Sequence, residues 1–271
     1  MHFWDPRTHY YPWLCDPEPI ALRYGDYRAL RRPYLPPDYA TDAGGWLVVR
    51  TVHVEAEWDP QDPLGEMEFI ARLRAAHGSP TVAIAQASLD HEDCARVLEA
   101  QARHPFVRGV RHKPRRGQMD DAGWRAGYAR LAPLGLHFEL QAPWRDLDGA
   151  VRLARDHRVT MIVLNHAGLP LPGELDGWQA TMARLAECDN VAVKISGLGN
   201  LSGAEKRQVV STVLELFGTR RAMFASNYPV DSLRGRYDDI YRGFAECARG
   251  LAIGEQRALF HDNAVRLYRM E

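Results

Sequence analysis

The strongest constraint in this chain is a rhythm. Short apolar, β-branched runs alternate with longer stretches of helical period, and the runs begin roughly 30 residues apart. Seven runs read as strands: residues 46–55, 81–87, 106–112, 136–141, 159–165, 191–196 and 221–226. Helix candidates lie at 64–76, 90–103, 120–131, 144–156, 176–187, 204–217, 238–248 and 255–269. In residues 90–103 the apolar positions Cys94, Val97 and Leu98 make one stripe of a 3.6-residue helix. Asp90 is expected to cap it, and His104-Pro105 to end it. Strand–helix–strand units of this length demand parallel pairing with right-handed crossovers. Residues 159–164 are continuously apolar, as for a strand covered on both faces.

Seven strands and eight helices point to a closed α/β barrel, the (β/α)8 TIM barrel, as a single domain over residues 1–271. The missing strand has to precede Asp5, so strand one is expected at or before residues 1–4, truncated at the N-terminus. The rival open, doubly wound sheet would want a glycine-rich first turn, and no G-x-G-x-x-G occurs. Residues 5–45 break the rhythm. They carry seven prolines together with Tyr10, Tyr11, Trp13, Tyr24, Tyr27, Tyr34 and Tyr39. This segment is either a lid over the strand ends or a stiff loop packed on the rim.

Charge excludes some partners. Lys and Arg number 34 against 35 Asp and Glu, so no basic excess points to nucleic acid. No apolar stretch approaches ~18 residues, so no membrane span is expected. Residues 1–5 lack the basic and apolar regions of a signal peptide. Cys15, Cys94, Cys188 and Cys247 match no disulfide or zinc spacing and read as reduced thiols. A cytoplasmic protein with a small-molecule substrate is expected, with homo-oligomerisation left open.

Barrel enzymes take catalytic groups from the C-terminal ends of their strands. Here those ends offer His2, Glu57, Arg111, His112, Lys113, Glu139, His166, Lys194, Asn227 and Asp231. Each alone is weak. Together they come from different strands whose ends would meet around one cavity, and polar groups buried without partners cost several kcal/mol. Imidazole and carboxylate groups suit zinc or a similar divalent ion. Without metal the same groups suit an anionic or sugar-like ligand. His77, His91, His104 and His157 lie on or just after helices and read as structural. His9 sits in the long loop and faces either way. His261 reads as structural, and Asn263 is expected to bond backbone near strand one.

Several motifs resemble one family in barrel order. They are His2-Phe3-Trp4-Asp5-Pro6 with Tyr11-Pro12-Trp13-Leu14, the run from Val52 to Pro60, and Gly109-Val110-Arg111-His112-Lys113-Pro114. Leu164-Asn165-His166-Ala167-Gly168-Leu169-Pro170, the run from Val193 to Leu198, the run from Met223 to Asp231, and Phe260-His261-Asp262-Asn263-Ala264 with Tyr268 continue the series. The chain resembles the amidohydrolase-related (amidohydrolase 2) family of metal-dependent barrel hydrolases. The resemblance implies a hydrolase of sugar lactones or related cyclic esters. Its alternatives are a decarboxylase on the same scaffold and a catalytically impaired ligand-binding relative. It implies catalytic roles for His112, His166, Asn227 and Asp231. It implies substrate contacts from Tyr11, Trp13, Glu57, Arg111, Lys113 and Glu139. It also implies one divalent metal, zinc first, at His2 and His166, or a metal-free site. Two departures stand out. Of the family's first-strand Asp-x-His-x-His only His2 is present, and the strand-eight aspartate is Asn227, which has no basic lone pair.

Overall fold

The computed structural model describes residues 1–20 and 24–270. Seven parallel strands hydrogen-bond in chain order: β1 Val52–Val54, β2 Val82–Gln86, β3 Val107–His112, β4 His137–Leu140, β5 Ile162–Leu164, β6 Val191–Ile195 and β7 Ala222–Phe224. Each falls inside an expected run, but β1 and β5 are much shorter. The ladder from β1 to β2 begins only at Thr51, whose carbonyl accepts from Thr81 and Val82. Before it, Leu47 is 89% exposed. Val159 is likewise 87% exposed, so apolarity there marks surface rather than strand.

The sheet curls until its edges face each other across residues 1–3. Met1 N donates to Val52 O at 3.2 Å, and Val54 N donates to Met1 O at 3.0 Å. On the other side His2 N reaches Tyr228 O, just beyond β7, at 2.8 Å. Residues 1–3 are not a strand in their own right, so the sheet has seven parallel strands among the described residues, not eight.

Side chains alternate across each strand. Val54, Val82, Ile84, Val163, Ala192 and Met223 point inward and form one core, completed by Tyr268 and Met270 from the chain's end. A second, larger core lies between the sheet and its helices. Arg108 grips Tyr268 O (2.9 Å) and Arg269 grips Gly135 O (2.8 Å), which seats the tail under the strands' N-terminal ends.

The helices follow the expected order with different ends. Helix Cys94–Ala102 starts after Asp93, and Asp90 does not cap it. Asp90 instead accepts from Gln118 Nε2 at 2.6 Å. The last helix is broken into Ile253–Arg257, a π-helical turn Ala258–Asp262 and Asn263–Leu267. Asn263 Nδ2 donates to Thr219 O (2.6 Å) and Ala222 O (2.7 Å), so it ties this helix to the start of β7, not to strand one. Within residues 5–45 a helix, Pro36–Ala43, was not anticipated. Its signals were present: proline at the first helical position, and Asp38 accepting from Leu35 N at 2.8 Å. Tyr11, Trp13, Tyr24, Tyr27, Tyr34 and Tyr39 are buried and only Tyr10 is exposed, so the described part of this segment packs on the rim. No helix among the described residues is long and apolar enough to cross a membrane.

Candidate active site

A cavity of about 300 Å³ opens at the C-terminal ends of the strands. His2, Glu57, Arg111, Lys113, His166 and Asn227 all line it. Six non-glycine residues among those described have positive φ: Glu57, His166, Ala167, Leu169, Asn227 and Arg269. Four of them (Glu57, His166, Leu169 and Asn227) line this one cavity. Backbone held in that sparsely populated region clusters where geometry serves function.

Arg111, next to last in β3, has its guanidinium buried. Its Nε lies 2.5 Å from Glu55 Oε1, its Nη2 2.5 Å from Glu55 O, and its Nη1 3.1 Å from Gln141 Oε1. Burial opposes its charge, but Glu55 and Glu57 outweigh that and hold it more firmly protonated. Burial would likewise raise Glu55, yet Arg111 and Lys113 hold its carboxyl below the usual range. Lys113 Nζ pairs with Glu57 at the more exposed rim.

His2 Nδ1 sits 2.7 Å from Val54 O. A carbonyl only accepts, so Nδ1 carries a proton and Nε2 is left to face the cavity. Nε2 is 3.4 Å from Asn227 Oδ1. Burial, with Arg111 adding to it, pushes the ring's pKa well below 6.5. His166 Nδ1 meets Ser196 Oγ at 2.8 Å. Trp178 Nε1 donates to Ala167 O at 2.7 Å and holds the turn that carries His166. Asn227 Nδ2 donates to Asp231 Oδ1 at 2.7 Å, and Tyr24 OH donates to the same oxygen at 2.8 Å.

Four expectations do not survive this geometry. His112 follows Arg111 on the strand and so points the other way, into the helix layer. Its Nδ1 accepts from Trp124 Nε1 (3.0 Å) and Leu89 N (3.2 Å), so it is a packing residue, not a base. Glu139 lies inside the curled sheet below the cavity, bound to Lys194 Nζ (2.6 Å) and Tyr268 OH (2.5 Å). Tyr11 is fully buried against Trp58, not in the cavity, whereas Trp13 does line it. Asp231 lies behind Asn227 and braces it without lining the cavity. The long-loop His9 faces Trp58 and Phe69, outside the site.

The metal expectation also changes. Among the described residues no three His, Cys, Asp or Glu groups are placed to hold a metal ion. His2 and His166 therefore lack the third protein ligand of a catalytic zinc site. The nearby Glu55 and Glu57 carboxylates are already paired with Arg111 and Lys113. This donor set does not fit a bound metal.

Residues not anticipated include Trp4 and Gln141, which line the cavity, and Glu55 and Ser196, which hold Arg111 and His166. Gln141 was detectable: it stands two residues after the inward-facing Glu139 and so shares its face. Ser196 was detectable in the same way, two residues after the inward-facing Lys194, whereas Trp4 carries no such signal.

An amidohydrolase family model matches residues 1–270. The chain belongs to the amidohydrolase family. This amidohydrolase is 36% identical to protein y4mH of Sinorhizobium fredii over 291 aligned positions, covering 100% of this chain and 97% of that one. An L-fucono-1,5-lactonase of Burkholderia multivorans is 26% identical, covering 99% of this chain and 94% of its own. A crystal structure of a Burkholderia multivorans amidohydrolase with bound zinc superposes with a TM-score of 0.85 at 25% identity, covering 100% of this chain and 97% of that one.

Proposed function

We propose that this amidohydrolase opens a neutral, polyhydroxylated lactone by water attack in the cavity at the strand ends. The observation that carries the reading is the convergence there of His2, His166, Asn227 and Arg111 from four distant parts of the chain. Charge balance supports it: Arg111 is matched by Glu55 and Lys113 by Glu57, so the walls carry little net charge. Trp4 and Trp13 on the lining suit a sugar ring. The lactonase name of a 26% identical relative points the same way. In this reading the fold is a (β/α)8 barrel with residues 1–3 in the place of strand one.

The lactone carbonyl lies toward Arg111. His166 takes the proton of the attacking water as general base, with its ring orientation set by Ser196. Asn227 Oδ1 accepts a hydrogen bond from the water's other O–H, which stays on the attacking oxygen, and so fixes the direction of attack. As the tetrahedral centre forms, its oxyanion meets the Arg111 guanidinium, already aimed by Glu55 and Gln141 and needing no rearrangement. His166 then returns its proton to the ring oxygen as the C–O bond breaks, leaving a hydroxy acid.

His166→Ala tests this reading on a panel of sugar 1,4- and 1,5-lactones. A fall in kcat/KM of about 10²-fold or more is expected for a lost general base. Activity within about twofold of the parent removes His166 from the mechanism. Release of CO2 from an aromatic acid, with no lactone turned over, would replace hydrolysis by decarboxylation.

A further inference from the structure

We infer that Asp231 and Tyr24 are positioning residues that decide which end of the Asn227 amide faces the reacting water. The inference rests on the hydrolytic reading above and deepens it. A primary amide has two ends of almost equal shape and opposite hydrogen-bonding sense. Which end faces a cavity is therefore set by whatever holds the other end. Here that partner is a carboxylate oxygen, Asp231 Oδ1, 2.7 Å from Asn227 Nδ2. An ionised carboxylate only accepts, so the nitrogen end is committed to it. The oxygen end is left toward the cavity, held there against His2 Nε2, a second acceptor 3.4 Å away.

The brace itself is built from two directions. Asp231 is 4% exposed and belongs to the turn that Asn227 opens, with Asp231 N donating to Asn227 O at 3.0 Å. Asn227 stands in the left-handed region (φ 52°), which aims its side chain out of that turn. From the far end of the sequence, Tyr24 OH donates to Asp231 Oδ1 at 2.8 Å. Tyr24 is in turn held by Arg234, whose Nη2 donates to Tyr24 O at 2.9 Å and whose guanidinium lies 5.5 Å from the ring centre. Gly199 N, in the loop after β6, donates to the Tyr24 hydroxyl at 3.4 Å. Tyr24 OH and Asn227 Nδ2 thus meet on one carboxylate oxygen, and Tyr24 is itself held by Arg234 and Gly199.

The consequence is chemical. With Asp231 in place the cavity is offered an acceptor at residue 227, which a water proton needs. With a neutral amide at residue 231, both orientations of Asn227 have a partner, and in one of them Nδ2 faces the cavity. A donor there opposes the water's proton and leaves it misdirected. Substrate contacts elsewhere in the cavity are untouched, so the effect falls on turnover rather than on binding.

Asp231→Asn, Tyr24→Phe, the double variant and the reversed pair Asn227→Asp/Asp231→Asn test this in the full chain, with chelator present throughout. Asp231→Asn is expected to lower kcat about 30-fold and Tyr24→Phe about fivefold, with KM within about twofold. The double variant should be no worse than Asp231→Asn, because both act through one contact. The reversed pair should regain most of the lost kcat, since the residue-231 amide then donates to the residue-227 carboxylate and an oxygen again faces the cavity. Unchanged kcat in Asp231→Asn, a rise in KM alone, or a reversed pair no better than Asp231→Asn would overturn the assignment. NMR of the Asn227 side-chain amide reads the same contact without turnover. The Nδ2 proton donated to Asp231 should be protected from exchange in the parent and less protected in Asp231→Asn, and equal protection in both overturns the brace. A parent inert on every lactone that still loses this protection in Asp231→Asn would refute the hydrolytic reading and leave the brace standing.

Discussion

Lys194→Met should destabilise the protein without touching substrate binding, and the loss should shrink in acid. Glu139 is fully buried and bonded to Lys194 Nζ at 2.6 Å and Tyr268 OH at 2.5 Å. Burial pushes its carboxyl up, but the Lys194 ammonium and His137 outweigh that and bring it down to about 2 from 4.5. A shift of that size corresponds to about 3 kcal/mol. The partner argues for less, because burial lowers Lys194 despite the carboxylate beside it. The Glu139 shift also reports its interaction with His137, so about 3 kcal/mol is the ceiling for the pair alone. Removing one partner of a buried pair costs about 3–5 kcal/mol, because it strands the other charge. For a chain of this size that is a fall in Tm of roughly 6–12 °C at pH 7. The sign in pH follows from the direction of the shift. A depressed carboxyl contributes its full stability above about 4.5 and loses it as pH falls toward 2. The gap in Tm between parent and variant, followed by circular dichroism, should therefore be smaller at pH 4 than at pH 7. Equal Tm values at pH 7, or a gap that widens in acid, would refute the reasoning. Because Glu139 lies below the cavity, KM should stay within about twofold.

Two further substitutions separate packing from chemistry. His112→Ala strands the Trp124 indole N–H and the Leu89 amide, and should cost about 2–4 kcal/mol in urea unfolding while kcat of the folded protein stays within about threefold. Asn263→Ala removes the donor to the Thr219 and Ala222 carbonyls. It should lower stability by about 1–3 kcal/mol, read from the shift of the urea midpoint at unchanged slope.

Particular residues show how far local reading reached. All seven strands were legible because a buried parallel strand must be apolar, and a run of that kind cannot hide. Their starts were not: Leu47 and Val159 are as apolar as their buried neighbours, and only the absence of a pairing backbone keeps them outside the sheet. His2, Glu57, Arg111, Lys113, His166, Asn227 and Trp13 were all anticipated and all line the cavity. His112 and Glu139 were anticipated and do not. Alternation along β3 excludes His112 once Arg111 is known to face inward. Glu139 faces inward too, but one layer down, and depth inside a curled sheet depends on register between strands. Asp231 was anticipated and bonds Asn227 from behind rather than from the cavity wall, a position that is a matter of turn geometry.

The order of elements, their parallel pairing and the side chains near the strand ends follow from sequence alone, because period and polarity are properties of consecutive residues. Tertiary structure alone decided which of those side chains share a cavity and at what depth they sit. It also decided that Tyr24 and Asp231, 207 positions apart, meet at 2.8 Å. Such contacts depend on how the sheet curls and where distant loops cross, and no local pattern of residues encodes that.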